Sequence, residues 1–156
     1  MAVAVHLKNY LASQGVAYEV VTHPRASHMM GAAHKAHVPS ESVAKGVLLE
    51  DGNGYVLAVV PASHHVDLGQ LHRWLDRPLG LATEPELARL FEDCELGAIP
   101  PVGAAYGLET IFDDSLGERP DVYLEAGDHR TLIHVKGEDF VRLMAGTKHA
   151  RISKPA

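Results

Sequence analysis

Apolar positions at Val3, Leu7, Tyr10 and Leu11 recur at helical spacing, and Gly15 follows as a stop. The pattern predicts a first helix over residues 3–14. VAYEVVTH (16–23) is rich in β-branched and aromatic residues, reads as a strand, and is ended by Pro24. Ser27 is placed to cap a short helix through HMMGAAHKAHV, which stops near Pro39. SVAKGVLLE (42–50) and YVLAVVPA (55–62) flank Asp51-Gly52-Asn53-Gly54, a strong hairpin signal. Asp67 opens a helix, DLGQLHRWL, with Gln70 set for a capping box, and PLGLA reads as a short strand. Thr83-Glu84-Pro85-Glu86 has the capping-box pattern with proline in the first turn, and predicts a helix to about Asp93. LETIFDD (108–114), DVYLEA (121–126) and TLIHVK (131–136) read as strands, GEDFVRLMAG as the last helix, and residues 148–156 as a loose tail.

Strands fall in neighbouring groups instead of strict βα alternation. This predicts an α+β fold around a mixed, largely antiparallel sheet, with residues 1–147 as one domain. Length (156 residues) and a hydrophobic share of 46% allow a packed core. A formal net charge of −6 argues against a strongly basic nucleic-acid protein and gives no pointer to DNA, though a local basic site is compatible with it. Lys35, His37 and Lys45 offer such an edge, and a solvated helix face is the plainer account of them. The single cysteine, Cys94, excludes an internal disulfide framework and fits a reducing, cytoplasmic setting. MAVAVHLKNYLASQG does not read as a signal peptide, and no apolar run is long enough for a membrane helix.

Two places carry chemistry. In SVAKGVLLE, alternation puts Lys45 on one face with Val43, Val47 and Leu49, while Ala44, Gly46 and Leu48 take the other. A lysine on an apolar face must reach water, pair with an anion or lose its proton. Gly46 lets another backbone or a ligand approach closely. The second place is CELGAIPPVGAAYG (94–107), an almost uncharged loop with three glycines and two adjacent prolines. The prolines fix φ and hold the loop still.

Eleven histidines suggest metal only if three or four converge, and their spacing does not require it. His34-x-x-His37 and His64-His65 read as surface residues, Asp113-Asp114 and Glu92-Asp93 as solvated carboxylates, and Ser115 as a turn former. Ser27 and Ser63 lack a nucleophile pattern, and Cys94 reads as a small buried hydrophobe.

HVPSESVAKGVLLED (37–51), LGAIPPVG (96–103) and EAGDHRTLIHV (125–135), in this order, resemble the YbaK and prolyl-tRNA-synthetase-associated domain family. The likeness runs from about Leu11 to Met144. It implies a mixed sheet, partly closed like a barrel, and hydrolysis of the ester joining a wrong amino acid to a tRNA 3′ end, with no metal or organic cofactor. Carried over by position, the family's strand lysine is Lys45, its G-x-x-x-P loop is Gly97 to Pro101, and the histidine of its Ala-Gly-x-His turn is His129. Val102 stands where many relatives have phenylalanine, which predicts a wider pocket mouth.

An aminoacyl ester is already activated, so hydrolysis needs a positioned water and donors for the developing oxyanion. The N–H groups of Gly97, Ala98 and Ile99 are the available donors, since Pro100 and Pro101 have none. Ala98 to Val102 are the expected substrate-binding wall. Lys45 is expected to bind a terminal phosphate or ribose, or to steady the carbonyl. His129 is expected to orient the water or to bound the pocket. The expected partners are mischarged aminoacyl-tRNA and a prolyl-tRNA synthetase. The alternative is a non-catalytic module of the same fold that holds a tRNA end or a synthetase.

Overall fold

The computed structural model describes residues 3–156. Among the described residues, six α-helices and ten strands follow in order as α1 (Val5–Ser13), β1 (Glu19–Thr22), α2 (Met29–Ala36), β2 (Val43–Glu50), β3 (Tyr55–Pro61), β4 (His64–Val66), α3 (Leu68–Leu75), β5 (Gly80–Leu81), α4 (Glu84–Leu90), β6 (Glu109–Asp113), α5 (Asp114–Gly117), β7 (Asp121–Glu125), β8 (Thr131–Lys136), α6 (Gly137–Leu143), β9 (Lys148–Ala150) and β10 (Ser153–Pro155). The large sheet runs β1-β8-β7-β2-β3-β6-β9, with β5 added on β2. Four of its seven pairings are antiparallel, and β2–β7, β3–β6 and β6–β9 are parallel. The fold is α+β around a mixed sheet.

The β2–β3 hairpin forms as its sequence predicts, with Lys45 opposite Val60 and Glu50 opposite Tyr55. Asp51 closes it by accepting from the N–H groups of Asn53 (2.9 Å) and Gly54 (3.0 Å). β2 is apolar on both faces because helices cover both. Ala44 and Leu48 join the main core with Leu7, Leu11 and Phe140, while Leu49 packs with Val56, Val60 and Leu71.

Several local expectations change. The cap of α2 is His28, whose Nδ1 accepts from Gly31 N–H (3.1 Å), and not Ser27. An unprotonated ring nitrogen does the work of a capping oxygen. At α3 the Asp67 side chain caps Gln70 N–H (3.2 Å). At α4, Glu86 accepts from both the backbone N–H and the hydroxyl of Thr83, each at 2.9 Å. That helix ends at Leu90, and Gly103–Tyr106 adds a short 3-10 turn inside the expected loop.

The largest correction is the C-terminal segment. Residues 148–156 are not loose: β9 pairs in parallel with β6, and β10 pairs antiparallel with β4. Ile152 is fully buried. The buried carboxylate of Asp113 clamps the segment, accepting from Ile152 N–H (3.0 Å), Ser153 Oγ (2.7 Å), Ser115 N–H (3.0 Å) and Ser115 Oγ (2.7 Å). Burial pushes this carboxyl up, and the four hydrogen bonds outweigh it, so its pKa lies below the usual carboxylate range. A depressed carboxylate contributes stability that is present above its unfolded pKa and lost as pH falls through the folded one. The clamp should therefore hold at neutral pH and release below about pH 4. Thermal melts of wild type and Asp113→Asn across pH 2 to 7 check this. The wild-type advantage should shrink on acidification, and an advantage independent of pH would contradict it.

Candidate functional site

Lys45 lies near the start of β2, and Gly46 follows it on the opposite face. The missing Gly46 side chain leaves room for the proline loop: a Cβ there would lie 3.1 Å from Ile99 Cγ2 and 3.5 Å from Pro101 Cα. The loop thus packs on the Gly46 side of the strand, and Lys45 leaves from the other side. Its half-buried ammonium donates to the main-chain carbonyl of His64 on β4 (2.6 Å). Burial holds its pKa below that of an ordinary lysine. The basic edge expected of Lys35, His37 and Lys45 is divided, since Lys35 Nζ donates to the Arg25 carbonyl and His37 is the left-handed cap of α2.

Within the loop, Gly97 is exposed and takes φ +80°, a conformation that favours glycine. Ala98 N–H is not free as a donor, because it closes a turn onto the Glu95 carbonyl (3.0 Å). This leaves Gly97 and Ile99 as the candidate oxyanion donors of the three expected. Ala98, Pro100 and Pro101 are buried and Ile99 is half-buried. Val102, expected at a pocket mouth, is fully buried in the main core.

His129 closes onto this loop. Its Nε2–H donates to the Leu96 carbonyl (2.8 Å), and a Cβ at Gly97 would lie 3.9 Å from its Cε1. A carbonyl only accepts, so the bond assigns the ring hydrogen of a neutral His129 to Nε2 and leaves Nδ1 as an acceptor. The residue itself is held at φ +62°. What holds it is Glu125, a fully buried residue that the sequence reading did not single out. One oxygen, Oε2, accepts from the N–H groups of Gly127 (2.8 Å), Asp128 (3.2 Å) and His129 (3.4 Å). Burial raises the Glu125 pKa above the usual carboxylate range, although these N–H groups pull it down. An acid ending a strand just before a glycine turn, as in EAGDH, is the signal that could have found it.

Behind the loop, Asp93 gathers Tyr106 Oη (3.0 Å), His6 N–H (2.9 Å) and His6 Nδ1 (2.8 Å). Cys94 lies against Gly127, and burial together with the Asp93 charge pushes its thiol up to about 12. The thiol is protonated at neutral pH and packs as an apolar group. The histidine count has a structural account as well: eight of the eleven make hydrogen bonds to other groups of the fold. Among the described residues, no three His, Cys, Asp or Glu side chains converge as a metal would need.

The structure therefore joins Gly97 and His129 at one corner and seats Ile99 and Pro101 on Gly46. It ties Lys45 to β4 instead.

No curated protein matches the chain in sequence. Among solved structures, one described as "a putative trans-editing enzyme for prolyl tRNA synthetase" superposes with a TM-score of 0.82 at 25% identity, covering 97% of this chain and 96% of that one. A second, a hypothetical protein, gives a TM-score of 0.83 at 20% identity over 96% and 99% of the two chains, and shows the fold alone. The sequence model of the aminoacyl-tRNA editing domain matches residues 23–143, a span that holds β2, the proline loop and the His129 turn, so the chain belongs to the aminoacyl-tRNA editing domain family.

Proposed function

We propose that this protein is a trans-acting deacylase that removes a wrongly attached small amino acid from the 3′ end of tRNA, with alanine on tRNA(Pro) as the first substrate. The observation that carries this reading is the Leu96–His129 bond, which engages Nε2 and leaves the Nδ1 side of the imidazole beside a rigid loop with open backbone donors. The family supports aminoacyl-tRNA as the substrate. The neighbour described as a trans-editing enzyme for prolyl-tRNA synthetase supports the choice of tRNA and of a synthetase as partner.

In this mechanism a water oxygen attacks the ester carbonyl carbon, and the carbonyl oxygen takes up negative charge. The N–H groups of Gly97 and Ile99 donate to that oxyanion from a fixed loop. His129 Nδ1 accepts a hydrogen from the water and orients it. The carbon–oxygen bond to the ribose then breaks, the ribose oxygen takes the proton, and the free amino acid leaves. Ala98, Ile99, Pro100 and Pro101 form the apolar wall that limits side-chain size, with Val102 behind them in the core, and Lys45 binds a phosphate of the tRNA end. The substrate pool places the activity in the cytoplasm.

The test is to incubate the purified protein with alanyl-tRNA(Pro) and prolyl-tRNA(Pro) and follow loss of the ester. The alanyl ester should be cleared well above its spontaneous rate and the prolyl ester left intact. Tight binding of charged tRNA without accelerated release would make the protein a binding module.

A further inference from the structure

The acceptor that the Lys45 ammonium uses is a main-chain carbonyl on β4, and β4 is a strand of three residues. Its pairing partner in the two-stranded sheet is β10, the last strand of the chain, with Ser153 opposite Val66, Lys154 opposite His65 and Pro155 opposite His64. The side chain of His64 is anchored to the same strand, because its Nδ1 lies 2.8 Å from Ser153 Oγ. Ser153 Oγ gives its hydrogen to the buried Asp113 carboxylate (2.7 Å), so toward His64 it is the acceptor and His64 Nδ1–H donates. Asp113 is fixed in turn by the Ser115 hydroxyl and by the N–H groups of Ser115 and Ile152. An unbroken series of hydrogen bonds thus runs from the end of β6 through Ser153 to His64, whose own carbonyl receives Lys45. All of β10 lies beyond residue 143, where the family match ends.

We infer that Ser153 is a positioning residue for the Lys45 ammonium, and that the C-terminal strand is therefore part of the machinery of the site. A half-buried ammonium that loses its acceptor must turn to water, and its charge moves away from where a phosphate would meet it. Ser153 itself touches no substrate. It acts by holding the ring of His64, and with it the strand that presents the carbonyl. The inference rests on the deacylase reading and on the role given there to Lys45.

The experiment is a double-mutant cycle read by single-turnover deacylation of alanyl-tRNA(Pro), with thermal melting measured alongside. Ser153→Ala should slow deacylation about tenfold. Ser153→Thr, which keeps the hydroxyl, should restore most of the rate. In a Lys45→Ala background, Ser153→Ala should change the rate by less than about twofold, because the group it positions is gone. His64→Phe, which keeps the ring and removes the donor, should repeat the Ser153→Ala result and carries the test if that variant fails to fold. A Ser153→Ala rate equal to wild type overturns the inference. So does an equal tenfold loss in both backgrounds, which would mark a general structural effect. If Lys45→Ala itself deacylates at the wild-type rate, the assignment of Lys45 fails, whereas a slow Lys45→Ala beside a wild-type Ser153→Ala removes only the inference about Ser153.

Discussion

Lys45→Ala is expected to slow release of alanine from tRNA(Pro) by about 100-fold, the effect of removing one preorganised charged or donor group from a reacting site. The side chain is half-buried, its carbonyl partner sits on a separate strand, and its neighbours on β2 pack through their own side chains. The fold should therefore survive, with a melting temperature within a few degrees of wild type. If Lys45 grips a tRNA phosphate, the loss should appear in KM and should narrow as salt rises, because added ions already weaken the wild-type contact. If it steadies the carbonyl, the loss should appear in kcat and persist in salt. Steady-state kinetics at two ionic strengths separate these roles. A variant as fast as wild type would remove Lys45 from the site.

Glu125→Ala should cost roughly 3–5 kcal/mol of stability, since it leaves buried N–H groups of the 127–129 turn without an acceptor and opens a cavity beneath them. For a chain of 156 residues this corresponds to a fall in Tm of roughly 10 °C. Glu125→Gln should behave differently. The Glu125 pKa is raised by burial, so its folded-state stabilisation is fully present below the ordinary carboxylate range and is lost as pH rises through the raised value. The charged form is thus the less favourable one for the fold, and a neutral amide oxygen in its place keeps an acceptor without the charge. Melts near pH 7 should place Gln within about 1 kcal/mol of wild type and Ala far below. Deacylation should follow the same order, because His129 keeps φ +62° only while its turn is clasped. Equal melting of Ala and wild type would show that the carboxylate does not hold the turn.

Much of the sheet was legible because its strands are long or strongly patterned. The β2–β3 hairpin declares itself through two apolar runs around Asp-Gly-Asn-Gly, and the Thr83–Glu86 box marks its helix locally. Local signals fail where tertiary partners decide. β9 and β10 have three residues each, too few for alternation to show, and they owe their form to β6, β4 and the Asp113 clamp. β4 is masked by two histidines. At the site, alternation correctly separated Lys45 from Gly46. It carried no information about which face of β2 the proline loop would cover, and the loop chose the Gly46 face, where there is room for Ile99. The engagement of Ala98 N–H by Glu95 was hidden for the same reason: a turn's internal bond depends on dihedrals that the residue types only permit.

The pairing of the outer strands also bears on how the chain is made. β1 finds its partner β8 only more than a hundred residues later, with Glu19 opposite His134, and β6 receives β9 from residues 148–150. A nascent chain on the ribosome can form the β2–β3 hairpin early, but it cannot seat β1 until residues 131–134 are made, or cover β6 until residues 148–150 are made. The exposed margins of β1 and β6 must wait in that interval. Premature termination near residue 147 would release a chain whose last two strands are missing and whose β6 margin is left open for another copy to occupy.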